Sequence, residues 1–170
     1  MIGCINEIGE RQKADNVSGL LGETGLRQYM DQQDTPLETG YLLRIGIDHF
    51  KEINDNFGQE YGDFVLKKTA ECISGCTSEG QKVYKLVADE FLILDVSSDE
   101  AKDADKLYDK VREAIDRFIE TNEFKVMYTV SGGIVPFAAL KGNQCSEALK
   151  LTDFALNEAK KLEETVVIYL

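Results

Sequence analysis

Two short β-rich runs with only four residues between them constrain the fold of this chain most strongly. Residues 83–86 and 91–96 consist largely of strand-forming residues. A gap of this size is the length of a hairpin loop. The two runs therefore predict an antiparallel hairpin whose loop is Val87-Ala88-Asp89-Glu90.

The segments on both sides of this hairpin alternate between helical and strand patterns. Strands that occur both as a hairpin and as helix-linked pairs indicate an α+β fold, a mixed α/β sandwich with about five strands in a central sheet covered by helices. Helical spacing of apolar residues predicts helices over 20–30, 50–57, 62–73, 99–121 and 146–162. β-rich runs predict further strands over 41–47, 124–135 and 166–169.

The composition favours one folded domain that binds neither nucleic acid nor membranes. The 170 residues are enough to bury a self-sufficient core, and 43% of them are hydrophobic. A formal net charge of −12 repels nucleic-acid backbones and anionic membranes, and the sequence shows no local basic patch. Nucleotides stay open as ligands, because carboxylates can recruit Mg²⁺ and the metal can then meet the phosphates.

Cysteine usage indicates a reducing compartment. The four cysteines lack the paired spacing of a zinc site, and the sequence shows neither an apolar signal segment nor a membrane span. We therefore expect a cytoplasmic domain, or the cytosolic part of a membrane-anchored protein. Cys72 and Cys76 lie one helical turn apart. This spacing fits a redox pair, but we interpret them as two small thiols in or beside the core.

The first residues look like the end of another domain. Residues 1–5 have the pattern of a short apolar strand, and a polar run with charges of both signs follows. The stretch 3–13 resembles the closing strand and exit linker of a PAS sensor domain. We therefore expect residues 1–14 to be the end of a preceding domain with its linker, and residues 15–170 to form the next domain.

Four motifs in this second region resemble one family. Residues 47–63 resemble the GGDEF-family pattern D-x-D-x-F-K-x-I-N-D-x-x-G-H-x-x-G-D, and supporting matches lie in 15–21, 129–134 and 153–160. Their correct order identifies 15–170 as a GGDEF-like domain and implies the family's cyclase-like, ferredoxin-like sheet. In active members, two facing domains each hold one GTP and join them into cyclic di-GMP with the help of Mg²⁺.

The resemblance assigns metal and catalytic roles to acidic positions, and one of these is missing here. The family's first metal ligand falls on Gly46, which has no side chain, whereas the next aspartate of the motif is Asp48. Asp89 matches the second metal ligand, and Glu90 matches a base or transition-state role. If a metal binds at all, we expect Asp48 and Asp89 to hold it.

The signature loop has lost both glycines with which the family approaches its nucleotide closely. Val87 and Ala88 stand in their places. Glycine adopts dihedral angles that are forbidden to β-branched residues, so we expect an altered loop. Phe91 completes the motif, although an aromatic residue at the start of a buried strand is explained equally well as core.

The nucleotide-binding positions are only partly retained. Asn54 and Asp63 match the pair that recognises the guanine edge, but these residue types also suit a helix-end turn and a helix N-cap. Lys160 matches a phosphate-binding lysine on the last helix. Four residues later the family has an arginine and this chain has Glu164, which reverses the charge beside the phosphates.

Two further positions carry weaker expectations. The family's product-inhibition motif R-x-x-D falls on Ser78 and Gln81, so we expect no feedback site for cyclic di-GMP. The single histidine, His49, matches a variable family position. We interpret it as a solvated or boundary residue rather than as a metal ligand or base.

Three functions remain open. The first is a degenerate GGDEF domain without cyclase activity, which regulates neighbouring sensor and phosphodiesterase domains or senses GTP, with Mg²⁺ only when nucleotide is bound. The second is an active diguanylate cyclase, a homodimer with a divergent site built from Asp48, Asp89 and Glu90. The third is a structural or dimerisation module without a ligand. The combined losses at the metal, phosphate and feedback positions favour the first.

Overall fold

Five α-helices and five strands make up the described part of the chain, which in this computed structural model comprises residues 14–33, 37, 39–97, 101–121, 127–140, 145–162 and 165–168. None of these helices is both long and apolar enough to cross a membrane. Their order confirms the order predicted from the sequence. The elements are α1 (Glu23–Asp31), β1 (Tyr41–Ile47), α2 (Phe50–Phe57), α3 (Gln59–Cys76), β2 (Gln81–Lys85), β3 (Glu90–Asp95), α4 (Ala101–Thr121), β4 (Val130–Pro136), α5 (Cys145–Leu162) and β5 (Val166–Ile168).

The strands form a single mixed sheet in the order β2-β3-β1-β4-β5. The central strand β1 pairs antiparallel with β3 on one side and with β4 on the other, whereas β5 runs parallel to β4. Every residue of β1 is buried, as expected for a strand covered by helices on both faces. The predicted α+β fold with a five-stranded central sheet is confirmed.

Alternate residues of β1 divide the core into two layers. Leu43 and Ile45 pack in a cluster with side chains of α2, α3 and α4, whereas Leu42 packs with side chains of α1 and α5. Because successive side chains of a strand point to opposite faces, Arg44 and Gly46 lie on the α5 face. The last turns of α5 can therefore reach the end of β1 and the neighbouring hairpin.

A glycine in β4 sets how closely α5 packs on the sheet. A Cβ atom at Gly133 would overlap the backbone nitrogen of Leu156 and lie 2.8 Å from the carbonyl carbon of Ala155. Backbone atoms cannot yield as a flexible side chain can, so a side chain here would push the helix outward. Gly133 thus contributes to the placement of Lys160, one turn further along α5.

Several predicted boundaries shift in the structure. Helix α3 begins at Gln59, earlier than predicted, because Gly58 adopts a φ of 91° and joins α2 to α3 without a loop. Strand β4 begins at Val130 rather than at 124. Part of that longer prediction, and all of the strand and PAS-like linker predicted within residues 1–13, lie outside the described residues.

A tight turn ahead of α1 connects the start of the domain to the sheet. The carboxylate of Asp15 accepts hydrogen bonds from the backbone N–H and the hydroxyl of Ser18, at 2.7 and 2.9 Å. Burial acts to raise the pKa of Asp15, but these bonds outweigh it and hold the pKa below its ordinary value. Leu21 then forms a parallel bridge with Tyr84 in β2.

The two neighbouring cysteines of α3 are poor candidates for redox chemistry. Cys72 and Cys76 are free and partly buried. Burial raises the pKa of Cys72 to about 11 and also raises the pKa of Cys76. Since the thiolate is the reactive form, these shifts favour our interpretation of two small thiols beside the core.

Candidate functional site

The signature residues lie in a tight loop between β2 and β3. The N–H of Leu86 donates to the carbonyl of Glu90 at 2.8 Å, and the N–H of Glu90 donates to the carbonyl of Val87 at 3.3 Å. Ala88 has a φ of 57°, in the left-handed region that favours glycine, whereas Val87 does not lie in that region. Of the two positions where the family has glycine, only Ala88 therefore adopts a backbone conformation that favours glycine. The Val87 side chain is exposed, at 76%.

A lysine at the end of β2 holds this loop in place. The ammonium of Lys85 donates to the carbonyls of Leu86 and Ala88. Burial lowers the pKa of Lys85, and the nearby carboxylates of Asp89 and Glu90 oppose part of that fall. The loop is thus shaped by a cation that belongs to the protein itself.

Helix α5 places the Lys160 side chain against Gly46, the position at which the family has its first aspartate. A Cβ atom at Gly46 would lie 2.8 Å from Cε and 3.1 Å from Nζ of Lys160. Gly46 is also paired directly with Glu90 of β3 in the sheet register. The lysine side chain therefore fills the space beside the strand that an aspartate would enter.

The ammonium of Lys160 lies between the two acidic residues of the signature. Its Nζ is 3.6 Å from Oδ2 of Asp89 and 3.9 Å from Oε2 of Glu90. The two acidic side chains are only 14% and 15% exposed, so water screens these attractions less than it would at an open surface. The structure thus brings three of the predicted site residues together, but it pairs the lysine with carboxylates.

A buried arginine that we did not predict holds Glu90 from the other side. Nε of Arg44 donates to Oε1 of Glu90 at 2.7 Å. The same guanidinium donates to the carbonyl of Leu149 at 2.9 Å and to the hydroxyl of Thr152 at 3.3 Å, and it lies 3.7 Å from the carboxylate of Asp153. These contacts join the hairpin to α5.

The sequence did contain a signal for this arginine. Arg44 is the only charged residue in the apolar run 41–47, and its side chain is 8% exposed in the structure. Charged side chains are almost never buried without a partner. A lone arginine in a central strand therefore predicts a buried carboxylate on a neighbouring element, which here is Glu90.

Asp48 ties the end of β1 to the start of β4. Its Oδ2 accepts the hydroxyl of Thr129 at 2.6 Å, and its Oδ1 accepts the hydroxyl of Ser131 at 2.7 Å. The backbone N–H of Asp48 donates to the carbonyl of Thr129 at 2.9 Å. With both oxygens occupied and the residue 6% exposed, this carboxylate has a structural role in the sheet.

A cleft of about 320 Å³ opens beside these residues, between the hairpin loop, the start of α2 and the end of α5. His49 lies at its rim with a φ of 57° and a side chain that is 53% exposed, which agrees with its interpretation as a solvated histidine. The cleft is lined by Ile47, Asp48, His49, Phe50, Lys51, Asp89 and Lys160.

The amide oxygen of Asn54 is buried beneath the next helix. A Cβ atom at Gly62 would overlap Oδ1 of Asn54 and lie 2.8 Å from its Cγ, so the glycine makes room for this side chain. Within the described residues, Oδ1 of Asn54 is buried without a hydrogen-bond partner. Asn54 lies in the last turn of α2, where its backbone carbonyl accepts the N–H of Gly58 at 2.8 Å, so its position near a helix end agrees with the alternative interpretation.

Asp63 borders a groove at the other side of this helix junction. The groove, of about 480 Å³, runs between α3 and the turn formed by residues 16–19. Asp63 is not a helix N-cap, as one interpretation had it, because α3 already begins at Gln59 and Gly58 occupies the cap position. Asn54 does not line this groove, although it touches Gly62, the residue before Asp63.

The two feedback positions form a local turn. The N–H of Ser78 donates to Oε1 of Gln81 at 2.9 Å, and Nε2 of Gln81 donates to Oδ2 of Asp95 at 2.9 Å. Both side chains are thus engaged within the protein. Glu164, the charge reversal predicted near the phosphates, lies outside the described residues.

The residues gathered at the hairpin do not fit a divalent cation. Mg²⁺ requires several oxygen ligands in a near-octahedral arrangement. Gly46 offers no side-chain ligand, Asp89 and Glu90 face an ammonium or a guanidinium, and both oxygens of Asp48 accept hydroxyls. In the part of the chain that the structure describes, no group of three or more His, Cys, Asp or Glu side chains is arranged to hold a metal ion.

Comparison with known proteins places this geometry in a family. Residues 13–165 match the family described as "Diguanylate cyclase, GGDEF domain". The chain is 31% identical over 154 residues to the cyclic di-GMP phosphodiesterase NbdA of Pseudomonas aeruginosa, covering 86% of this chain and 19% of that protein. It is 30% identical over 128 residues to diguanylate cyclase DgcZ of Escherichia coli, covering 73% of this chain and 43% of that protein. The chain thus spans less than half the length of either relative.

A solved structure shares the fold over nearly the whole chain. The GGDEF domain of YfiN from Pseudomonas aeruginosa superposes with a TM-score of 0.76 at 24% identity, covering 91% of this chain and 93% of that one. This likeness concerns the fold, whereas the family match concerns the sequence. Because that match extends over most of the 170 residues, the chain belongs to the GGDEF domain family.

Proposed function

We propose that this chain is a degenerate GGDEF domain of cyclic di-GMP signalling, which lacks diguanylate cyclase activity and acts as a regulatory or GTP-sensing module. The observation that carries the proposal is the ion pair of 2.7 Å between Arg44 and Glu90. It commits the acidic residue with the family's base or transition-state role to a buried contact inside the protein.

Cyclase chemistry requires that the 3′ hydroxyl of one GTP attack the α-phosphate of another. A general base must lie within hydrogen-bond reach of the proton that it removes. Glu90 directs Oε1 to Arg44 and Oε2 toward Lys160, and it does not line the cleft beside the hairpin. Together with the missing ligand at Gly46, this arrangement supports the loss of catalysis.

The guanine-recognition positions support a role in nucleotide sensing. Oδ1 of Asn54 is buried without a partner among the described residues, and an unsatisfied buried acceptor costs about 1–3 kcal/mol. Because Gly62 covers this oxygen, a ligand reaches it only when the Asn54 side chain turns away from the glycine, and a donor on the ligand would then remove that cost. Guanine carries such donors on its edge, and Asp63 lies one residue beyond the glycine that covers the Asn54 amide.

The relatives support a proposal for the surroundings of the domain. A protein named as a cyclic di-GMP phosphodiesterase contains a region similar to this chain, and that region is a minor part of its length. We place the present domain in the cytoplasm within a longer protein, between a sensor and a phosphodiesterase domain, with GTP as its ligand and a homodimer as its assembly.

A turnover assay tests the loss of activity. The purified chain is incubated with GTP and either Mg²⁺ or Mn²⁺, and cyclic di-GMP is quantified by chromatography beside DgcZ as the active control. We expect no product. Multiple turnover that Asp89→Ala abolishes would establish an active cyclase instead.

A calorimetric titration of the same protein with GTP tests the sensing role. Saturable binding supports it. If the folded protein binds no GTP at millimolar concentration, the sensing role is wrong and the chain is a structural or dimerisation module without a ligand.

A further inference from the structure

We infer that the ammonium of Lys160 replaces the divalent cation at this site, so that the folded domain supplies its own cation and takes up no Mg²⁺ there. The inference goes beyond the proposed function, because it holds whether or not GTP binds. It rests on the placement of Lys160, on the side chain missing at Gly46, and on the charge balance around the hairpin.

The placement of Lys160 puts a positive charge where an ion would have to sit. Its Nζ lies within 4 Å of both signature carboxylates, at 3.6 Å from Asp89 and 3.9 Å from Glu90. The same atom is 3.1 Å from the point at which a side chain of residue 46 would begin. An ion drawn to these carboxylates would meet the ammonium at the same position, and like charges repel.

The charges around the hairpin are balanced without any added ion. Two adjacent carboxylates with little exposure repel each other unless cations lie close to both. The chain provides three such cations, since Arg44 contacts Glu90 at 2.7 Å, Lys160 lies beside both acids, and both acids act on the nearby ammonium of Lys85. A third carboxylate, Asp153, lies 3.7 Å from Arg44. These charges offset one another, so a divalent ion would add positive charge to a cluster that already holds its own cations.

Gly46 is what allows the lysine to lie here. An aspartate at this position would have its Cβ 2.8 Å from Cε of Lys160, closer than real Cβ atoms approach other atoms. The lysine end is flexible, so an aspartate would displace it and would add a third carboxylate beside Asp89 and Glu90. Gly46→Asp should therefore both remove the ammonium from the site and supply a further carboxylate for a metal ion.

The next residue offers a matched control for the lysine. Lys161 follows on the same helix, but its side chain is 70% exposed and pairs with Glu158 one turn back, at 2.8 Å. Lys160 is 30% exposed and contacts the hairpin instead. Removing either lysine changes the net charge of the protein equally. Only the removal of Lys160 takes an ammonium away from Asp89 and Glu90.

The test is a titration of nucleotide-free protein with Mn²⁺, followed by the electron paramagnetic resonance signal of free Mn²⁺. Wild type and Lys161→Met should show the same weak, non-saturating uptake. Lys160→Met should bind Mn²⁺ about tenfold more tightly than Lys161→Met, and Gly46→Asp should bind at least as tightly as Lys160→Met. Circular dichroism establishes that each variant is folded. If Lys160→Met does not fold, Lys160→Gln replaces it in the titration.

A second readout uses the unfolding temperature with and without Mn²⁺. The ion should leave wild type unchanged and should stabilise Gly46→Asp, because a ligand that binds only the folded state raises its stability. Saturable Mn²⁺ binding by wild type that Asp89→Ala removes would overturn the inference. So would a folded Lys160 variant that binds no more Mn²⁺ than Lys161→Met.

Discussion

At the hairpin, each acidic residue of the site faces a partner from the protein itself, whereas at the junction of α2 and α3 a buried amide oxygen faces none among the described residues. Asp89 and Glu90 lie beside Lys160 and Arg44, and Asp48 accepts two hydroxyls. Within the described part of the chain, Oδ1 of Asn54 has no such partner. The hairpin end thus pairs its acidic groups internally, whereas the junction leaves one acceptor unsatisfied among the described residues.

This difference supports the proposal that the hairpin end, rather than the helix junction, has lost its role in the reaction. Pairing a carboxylate internally makes folding independent of a metal, and it also withdraws the carboxylate from chemistry. A buried amide oxygen without a partner among the described residues destabilises the fold, which supports the proposal that a ligand donates to it. Substitutions at the two ends should therefore affect different properties.

The largest effect should follow from breaking the pair of Arg44 and Glu90. Arg44→Leu should destabilise the chain by about 3 kcal/mol, because it leaves a little-exposed carboxylate without its closest cation. The double variant Arg44→Leu/Glu90→Leu should lose much less than the sum of the single losses. Urea unfolding measures all three proteins.

An exposed pair provides the control for this cycle. Arg27 and Glu23 lie 3.4 Å apart with side chains that are 48% and 52% exposed. Arg27→Leu should change stability by less than about 0.5 kcal/mol. Additive losses at Arg44 and Glu90 would show that the buried pair does not act as a unit.

The next largest effect should come from Gly133→Ala, because it disturbs the packing of α5, the helix whose Lys160 contacts the hairpin. The added methyl group would overlap the backbone of α5 at Leu156, so we expect a loss of about 2–3 kcal/mol. Gly75→Ala in α3 is the control, since its Cβ would meet no atom of the described residues within 4 Å. That variant should gain up to about 1 kcal/mol. Equal effects of the two substitutions in denaturant unfolding would contradict the close packing of α5.

A smaller effect on stability, and a specific one on binding, should follow from Gly62→Ala. The new methyl group must displace the Asn54 amide, so the variant should be about 1–2 kcal/mol less stable than Gly75→Ala. It should also weaken GTP binding in calorimetry. Unchanged GTP affinity in a folded Gly62→Ala protein would separate the amide from nucleotide recognition.

The smallest effect concerns the turn that borders the Asp63 groove. The folded-state pKa of Asp15 lies below its ordinary value of 3.8, so the carboxylate stabilises the fold above that pH and loses this contribution as the pH falls through the folded pKa. Asp15→Asn should lower the unfolding temperature slightly at pH 7, and the difference should shrink as the pH falls below about 4. A difference that does not change with pH would rule out ionisation as its source.

Local patterns were sufficient to predict the order of helices and strands, because burial on one face leaves a periodic signature in the sequence. They failed where contacts join distant parts of the chain. Arg44 donates to the carbonyl of Leu149, which is 105 residues away, and no local pattern records such a contact.

The motif matches had a similar limit. They predicted that Lys160, Asp89 and Glu90 belong to one site, and the structure brings the three together. They could not predict that the lysine would turn to the carboxylates once Gly46 left room for it. The N-cap interpretation of Asp63 failed because Gly58 joins two helices directly, which depends on one positive φ.

The contrast between the two ends is tested most directly by titrating GTP, in EDTA, into wild type, Asn54→Ala and Asp89→Ala. We expect wild type and Asp89→Ala to bind with similar affinity, and Asn54→Ala to bind about tenfold more weakly. Loss of binding in Asp89→Ala with Asn54→Ala unaffected would contradict the proposed division of the site into a hairpin end closed by internal ion pairs and a helix junction that recognises guanine.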